Sequence, residues 1–524
     1  MMMSKKYIYT IPVIIVVAFG VGIGVFFDRD ISEEIIDFVQ FGREALIYPD
    51  YSSIVVPANI VSMNFAVRED GELYCVRIRS SKGNEIEVFS RTGKIVIDEA
   101  KWSSLLEQNK GEKLVIDVFC KDKGGKWLRY DAIRNTIASE EIDGHLVYRK
   151  IHPGYRTWHD VGIYQRELGS YAESVVLDNS YFKGECLNCH AFCNNKTDKM
   201  LIGLRSGTYG SCELIVNDGR VNKIGTKFGY TSWHPSGKIA VYSMNKVYQL
   251  FHHARKDEYR DVIDIDSALA YYDVESVKVK RCEHLSKKDR LETYPAWSSD
   301  GKYLYYCSAP IKWLTSEIEE ITQEMVEAVK YDLMRISYDV KRDKWGEPEE
   351  VVSAEESGKS SLEPRVSPDG RWLLFCMCDY SCFPVYQPSS DLYMIDLESE
   401  RADGKFVYRK LNVNSEASES WHSWSSNSRW IAFSSKRMHG PFTRTYFSYV
   451  DINGIASKPF VLPQKDPGYY EGCLRTFSVP ELVVEPVRTT KETLGKVVRG
   501  KIDKVVYVPI SSATVKNEEW NERE

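Results

Sequence analysis

The sequence predicts an all-β protein in which a membrane helix and a small β-sandwich precede a β-propeller. Three observations carry that expectation: a motif that recurs through the second half of the chain, an excess of aromatic residues, and an uncharged N-terminal stretch. The 33 Tyr, 20 Phe and 12 Trp favour strands over helices, because such side chains pack well on a half-buried pleated surface. Net charge is only −6 and no Lys/Arg block stands out, so a nucleic-acid partner has no electrostatic support.

Residues 7–27 carry no charge, and as a helix they are long enough to cross a ~30 Å hydrocarbon core. Lys5 and Lys6 precede them, whereas Asp28, Asp30, Glu33 and Glu34 follow. The positive-inside rule then leaves the N-terminus in the cytoplasm and exports the rest, a single-pass inner-membrane protein with a periplasmic body. A cleaved signal peptide competes with this reading, supported only by Gly20-Val-Gly22 and Gly22-Ile-Gly24 as small-residue sites. Residues 1–30 are therefore read as the anchor. Residues 31–50, with Ile35, Ile36, Phe38, Val39 and Phe41, are read as a linker helix. Residues 51–142 alternate short β-rich runs (72–79, 86–89, 113–119, 127–130) with Asp70-Gly71, Thr92-Gly93 and Gly124-Gly125 turns, the pattern of a β-sandwich.

The repeat follows. Trp233-His-Pro-Ser-Gly-Lys238, Trp297-Ser-Ser-Asp-Gly-Lys302, Val366-Ser-Pro-Asp-Gly-Arg371 and Trp424-Ser-Ser-Asn-Ser-Arg429 each join a strand to an apolar second strand through a tight turn. Lys199, aligned with these basic residues, marks a degenerate fifth copy with its third strand at 212–216. Four-stranded antiparallel units repeated radially are propeller blades. Residues 143–185 and 456–485 complete a sixth blade, a seventh remaining open, so the propeller spans 143–485 and leaves 486–524 as a tail. Excess residues fall after second strands, at 244–272, 309–330 and 377–390. Ile318, Ile321, Met325 and Val329 share one helical face within the second of these. The repeat tryptophans are read as core, and His234 and His422 beside them as turn caps.

Cys186-Leu-Asn-Cys-His190 carries the chemistry. Cys-x-x-Cys-His is the attachment pattern for c-type haem, the thiols bonding the porphyrin edge and His190 ligating the iron. With 12 Cys and 10 His in 524 residues, random order gives such a pentapeptide in only roughly half a percent of chains. One covalent haem c is expected. The other readings are a zinc site completed by Cys193 and a Cys186–Cys189 disulfide. Placed just before the first strand of its blade, the motif shares a rim with the long insertions and with residues 436–445. Candidate distal ligands on or near that rim are His252, His253, Met438, His439, His152 and His159, with no choice among them. Ten further cysteines in an exported protein allow disulfides, and one within Cys376, Cys378 and Cys382 is expected.

The repeat resembles that of TolB-type (WD-like) six-bladed β-propellers, whose blades carry Pro-x-Trp-Ser-Pro-Asp-Gly-Lys. Joined to Cys-x-x-Cys-His, Tyr48-Pro-Asp-Tyr51 and Val56-Pro-Ala-Asn59, it is similar to exported bacterial proteins described as TolB-like or cytochrome-c-related. The resemblance implies architecture rather than activity, since propellers host unrelated functions. Three readings stand: a membrane-anchored c-type cytochrome for electron transfer, a periplasmic docking propeller with a structural haem or none, and a redox enzyme acting at an open haem iron. A protein redox or docking partner at the haem rim is implied by the first two. Phosphate-binding glycine loops, Gly-x-Ser-x-Gly elbows and His-Glu-x-x-His helices do not occur, so hydrolase chemistry is unsupported.

Overall fold

The computed structural model describes residues 33–153, 160–226, 228–251, 258, 260–313, 320–399 and 405–508, without the side chains of Asn188, Cys189 and His439. The expected anchor at 7–27 lies outside these residues, as do His159, His252, His253 and Ile318. Among the described residues no helix is long and apolar enough to cross a membrane. The chain divides into two units, 1–36 and 37–524, and the described residues of the first, 33–36, have no regular structure.

The second unit begins with a strand where a helix was expected. Phe38–Glu44 pairs in parallel with Trp127–Asp131. An open sheet edge offers this run backbone partners, and aromatic contacts add to them: Phe38 lies 5.8 Å from Phe119 and Phe41 4.9 Å from Tyr130. Residues 51–142 depart from a simple sandwich. One seven-stranded sheet is built around Lys113–Lys121, a three-stranded sheet stands beside it, and a helix, Glu99–Gln108, is buried through Trp102, Leu105 and Leu106. Asp98 starts that helix by accepting the Lys101 amide, a capping signal present in the sequence but hidden among strand-like neighbours.

Six four-stranded antiparallel units follow, one of them extended by a fifth strand. Their first strands are Thr476–Val483, Cys186–Cys193, Thr231–Trp233, Arg290–Trp297, Ser360–Val366 and Glu419–Trp424. These touch one another in cyclic order and close a ring around a central channel, the arrangement of a six-bladed β-propeller. Blade one joins the two ends of the ring, because Thr476–Val483 pairs with His145–Ile151. The recurring turn is held by its own polar side chains. Ser298 donates to Asp300 and accepts from the Tyr303 amide, and Ser425 repeats the pattern with Asn427 and Trp430. Gly301 and Gly370 supply the left-handed residue of the turn, and Ser428 adopts it at φ 60°. Trp233, Trp297, Trp372, Trp424 and Trp430 are all buried.

The described residues of the insertion at 244–272 lengthen two paired strands, Ile239–Phe251 and Arg260–Asp273. One further expectation is corrected. Residues 486–508 are packed structure: the helix Lys491–Val498 lies on blades one and two, and Val506–Tyr507 adds a parallel strand to blade three. Leu494 and Val498 are apolar enough to seal a gap between blades, which a free tail would not do.

Candidate functional site

Every inner strand of a blade with a described bulge kinks at the same place. The register shifts at Tyr294-Pro295, Glu363-Pro364, Trp421-His422 and Val479-Pro480, and the first residue of each pair is left-handed, at φ 48–54°. In blade two the shift falls on Asn188-Cys189. The Cys-x-x-Cys-His motif is thus the bulged inner strand itself rather than the loop before it. The sequence misled because a degenerate blade lacks the Pro that marks this bulge in three of the others.

This placement points the motif into the channel. Cys186 is directly opposite Arg205 at one end of the hairpin, and His190 is opposite Ile202 further in. His190 is 2% exposed; neither ring nitrogen makes a hydrogen bond of good geometry, although the Val147 and Val479 backbone carbonyls stand within reach of the ring. Burial, and then the positive charge of Arg149, depress its pKa to about 3, so the imidazole is neutral throughout the physiological range. It lines a cavity of about 500 Å³, counting its solvent-open space, with Tyr230, Tyr294, Glu363, Arg365, Trp421 and His422.

A second, larger cavity of about 1090 Å³, counting its solvent-open space, lies on the rim that carries the insertions. Tyr230 and Trp421 line both cavities and form their boundary, with Tyr294 stacked on Tyr230 at 4.0 Å. The rim cavity draws Val247 and Val262 from the long hairpin, Phe383 and Tyr386 from 377–390, and Lys436 and Pro441 from 436–445. Among the described residues its cations are Arg149, Arg205, Arg260 and Lys436 and its one carboxylate is Glu258, which pairs with Lys436. An apolar, aromatic wall with excess positive charge suits a flat hydrophobic ligand bearing carboxylates.

No protein-family model matches the chain, and no curated protein does. Among solved structures it is similar to Kuenenia stuttgartiensis hydrazine synthase at 13% identity and a TM-score of 0.30, over 52% of this chain and 64% of that one, less than two thirds of its length. It is also similar to an oligogalacturonate lyase from Vibrio parahaemolyticus (11% identity, TM-score 0.35, 78% of this chain and 100% of that one). A third is prolyl oligopeptidase B from Galerina marginata, at 12% identity and a TM-score of 0.33, over 77% of this chain and 54% of that one.

Of the distal candidates, His152 lines the rim cavity. Met438 does not; its sulfur accepts a hydrogen bond from Tyr48 at 3.4 Å. His439 closes the strand Trp430–His439, its side chain outside the described set, as are His159, His252 and His253. Cys193 stands at the far end of the motif strand from Cys186, roughly 20 Å away at strand rise, which removes it from any local zinc set. The expected disulfide among Cys376, Cys378 and Cys382 is absent, all three being free buried thiols. Cys376 is bordered by Glu363, His422 and the Glu419 carbonyl, while Cys382 donates to the Val262 carbonyl. His234 does cap its turn, through Ser236, but His422 is buried in the channel with its Nε2 on the Leu374 carbonyl. Sequence spacing could not find that cluster, because its members come from different strands and two blades.

Proposed function

We propose that this chain is an exported, membrane-anchored c-type cytochrome in which a TolB-like propeller carries one haem, attached through Cys186 and Cys189 with His190 as iron ligand, for electron transfer. The observation that carries the reading is the state of His190: a neutral imidazole, almost wholly buried beside a cavity, whose ring has only the Val147 and Val479 backbone carbonyls within reach. A neutral imidazole has one N–H to offer those carbonyls, so its other nitrogen is left an acceptor without a donor, which an iron bond would satisfy. The residues fit the group in two further respects. Cys186 ends level with Arg205 at the rim cavity, and Arg149, Arg205 and Arg260 offer cations for haem carboxylates.

When bound, haem supplies a one-electron carrier whose potential depends on its ligands and on burial. The chain's own residues hold the imidazole neutral by burial, beside the Tyr230–Tyr294–Trp421 aromatic cluster. The rim, built from insertions of several blades, is where a redox partner would dock. Intact-mass measurement of protein matured with a cytochrome c assembly system tests the reading. One covalently added haem in the native chain, lost in Cys186→Ala/Cys189→Ala, is expected; an unmodified polypeptide mass would overturn it.

A further inference from the structure

Glu363, Cys376 and His422 bring one carboxylate oxygen, one sulfur and one ring nitrogen within 4.8 Å of one another, all three side chains buried. Glu363 is the left-handed bulge residue of blade five, Cys376 sits on the neighbouring strand of that blade, and His422 follows the bulge of blade six. Backbone strain at Glu363 and the closure of the ring therefore set the spacing, not local sequence.

The hydrogen-bond inventory at this point does not balance. His422 Nε2 lies 3.2 Å from the Leu374 carbonyl and Nδ1 3.7 Å from Cys376 Sγ, with the Glu363 backbone carbonyl also beside the ring; with the proton on Nε2, Nδ1 presents its lone pair to the sulfur. Sγ also lies 3.5 Å from Glu363 Oε2 and 3.6 Å from the Glu419 carbonyl. Three acceptors thus surround a single thiol hydrogen. Glu363 Oε2 receives the Trp421 amide at 2.6 Å, but Glu363 Oε1 is buried with no partner at all. Surplus acceptors around a sulfur, an imidazole oriented through its second nitrogen, and an orphaned carboxylate oxygen are what a cation would satisfy.

We propose that Glu363, Cys376 and His422 form a zinc site in the wall of the channel. One sulfur, one nitrogen and one oxygen suit this borderline-soft ion, and three protein ligands leave a fourth position. Glu363 and His422 line the same cavity as His190, so that position faces the channel where the haem ligand also looks in. His190 is not one of the three ligands. The ion would tie blade five to blade six, its two charges balanced by the Cys376 thiolate and the Glu363 carboxylate. The ligand set itself does not depend on the cytochrome reading.

The test uses the full-length protein, stripped with a chelator and re-equilibrated with Zn²⁺ against a competing chelator, with zinc and iron counted separately by elemental mass spectrometry. One zinc per chain is expected. Cys376→Ser and His422→Ala should each weaken binding by more than about tenfold, the range that even outer-shell changes produce. Glu363→Gln keeps the side-chain volume and guards against misfolding, and near-UV circular dichroism of each variant reports the fold. Co²⁺ in place of Zn²⁺ should give a thiolate charge-transfer band that Cys376→Ser removes. Native protein that retains no zinc, or variants that retain as much as native, would overturn the site. Because iron is read in the same samples, failure of haem attachment and failure of zinc binding are distinguishable.

Discussion

Cys186 stands directly opposite Arg205 in the first hairpin of blade two, and four residues on His190 stands opposite Ile202. One bulged strand therefore runs from the level of a guanidinium on the rim cavity to a buried imidazole on the channel cavity. That strand gives the motif a physical setting: Cys186 lies level with Arg205 of the rim cavity, and His190 lines the channel cavity.

Two histidines with similar burial should respond oppositely to replacement. His190→Leu removes a ring whose N–H has only the Val147 and Val479 carbonyls in reach and no hydrogen bond of good geometry, so in haem-free protein stability should stay within about 1 kcal/mol of native. His234→Leu removes a ring whose Nδ1 accepts from Ser236 and whose Nε2 donates to the Gly301 carbonyl, and should cost about 1–3 kcal/mol. Urea unfolding of both variants checks the contrast.

Asp264 makes stability pH-dependent. Burial pushes its carboxyl up to about 7, although Asn245 and Tyr331 donate to it. A carboxyl raised in the folded state holds its proton where the unfolded chain has lost it. Its contribution is therefore full below the ordinary value of 3.8 and declines as pH rises through about 7. At one pKa unit per 1.36 kcal/mol the loss is on the order of 4 kcal/mol. Asp264→Asn should flatten the stability profile between pH 4 and pH 7, and thermal unfolding across that range measures it.

Arg365 and Glu481, which follow the bulges of blades five and one, form an ion pair at 3.1 Å across the channel wall. Arg365→Ala leaves Glu481 buried without its cation. The cost should be about 2–3 kcal/mol, below the range for a fully dry pair because Arg365 is a third exposed. Replacing both by Met should restore most of it, as a double-mutant cycle would show.

The C-terminal helix should be part of the stable unit. Lys223, buried in blade two, donates to the carbonyls of Tyr209, Val498 and Gly500. Lys223→Met strands three acceptors and should cost about 2–3 kcal/mol. Truncation after residue 488 should lower the melting temperature by more than Lys223→Met does, measured by calorimetry.

The blade repeats were legible because each turn is a local network: Ser298 with Asp300, and Ser425 with Asn427, are two residues apart. Lys199 gave the register of the degenerate blade correctly, with Leu201 opposite Ala191 much as Leu373 is opposite Val366. The apolar run within the linker at 31–50 predicts a helix, since its pattern does not reveal that a sheet edge, Trp127–Asp131, is waiting for it. The helix Glu99–Gln108 is hidden in sequence because its Asp98 cap stands between strand-like neighbours. The channel could not be read at all. Glu363, Cys376 and His422 meet only because the ring closes and because a bulge turns Glu363 inward, both consequences of tertiary structure.

The central claim is that Cys186, Cys189 and His190 hold one haem, and the pyridine haemochrome spectrum of the denatured protein tests it most directly. Protein matured with a cytochrome c assembly system should show one haem per chain, bound through two thioethers and resistant to organic extraction. His190→Leu should keep that covalent haem while losing the native low-spin spectrum. Haem that extracts completely, or a native chain with none, would contradict the account.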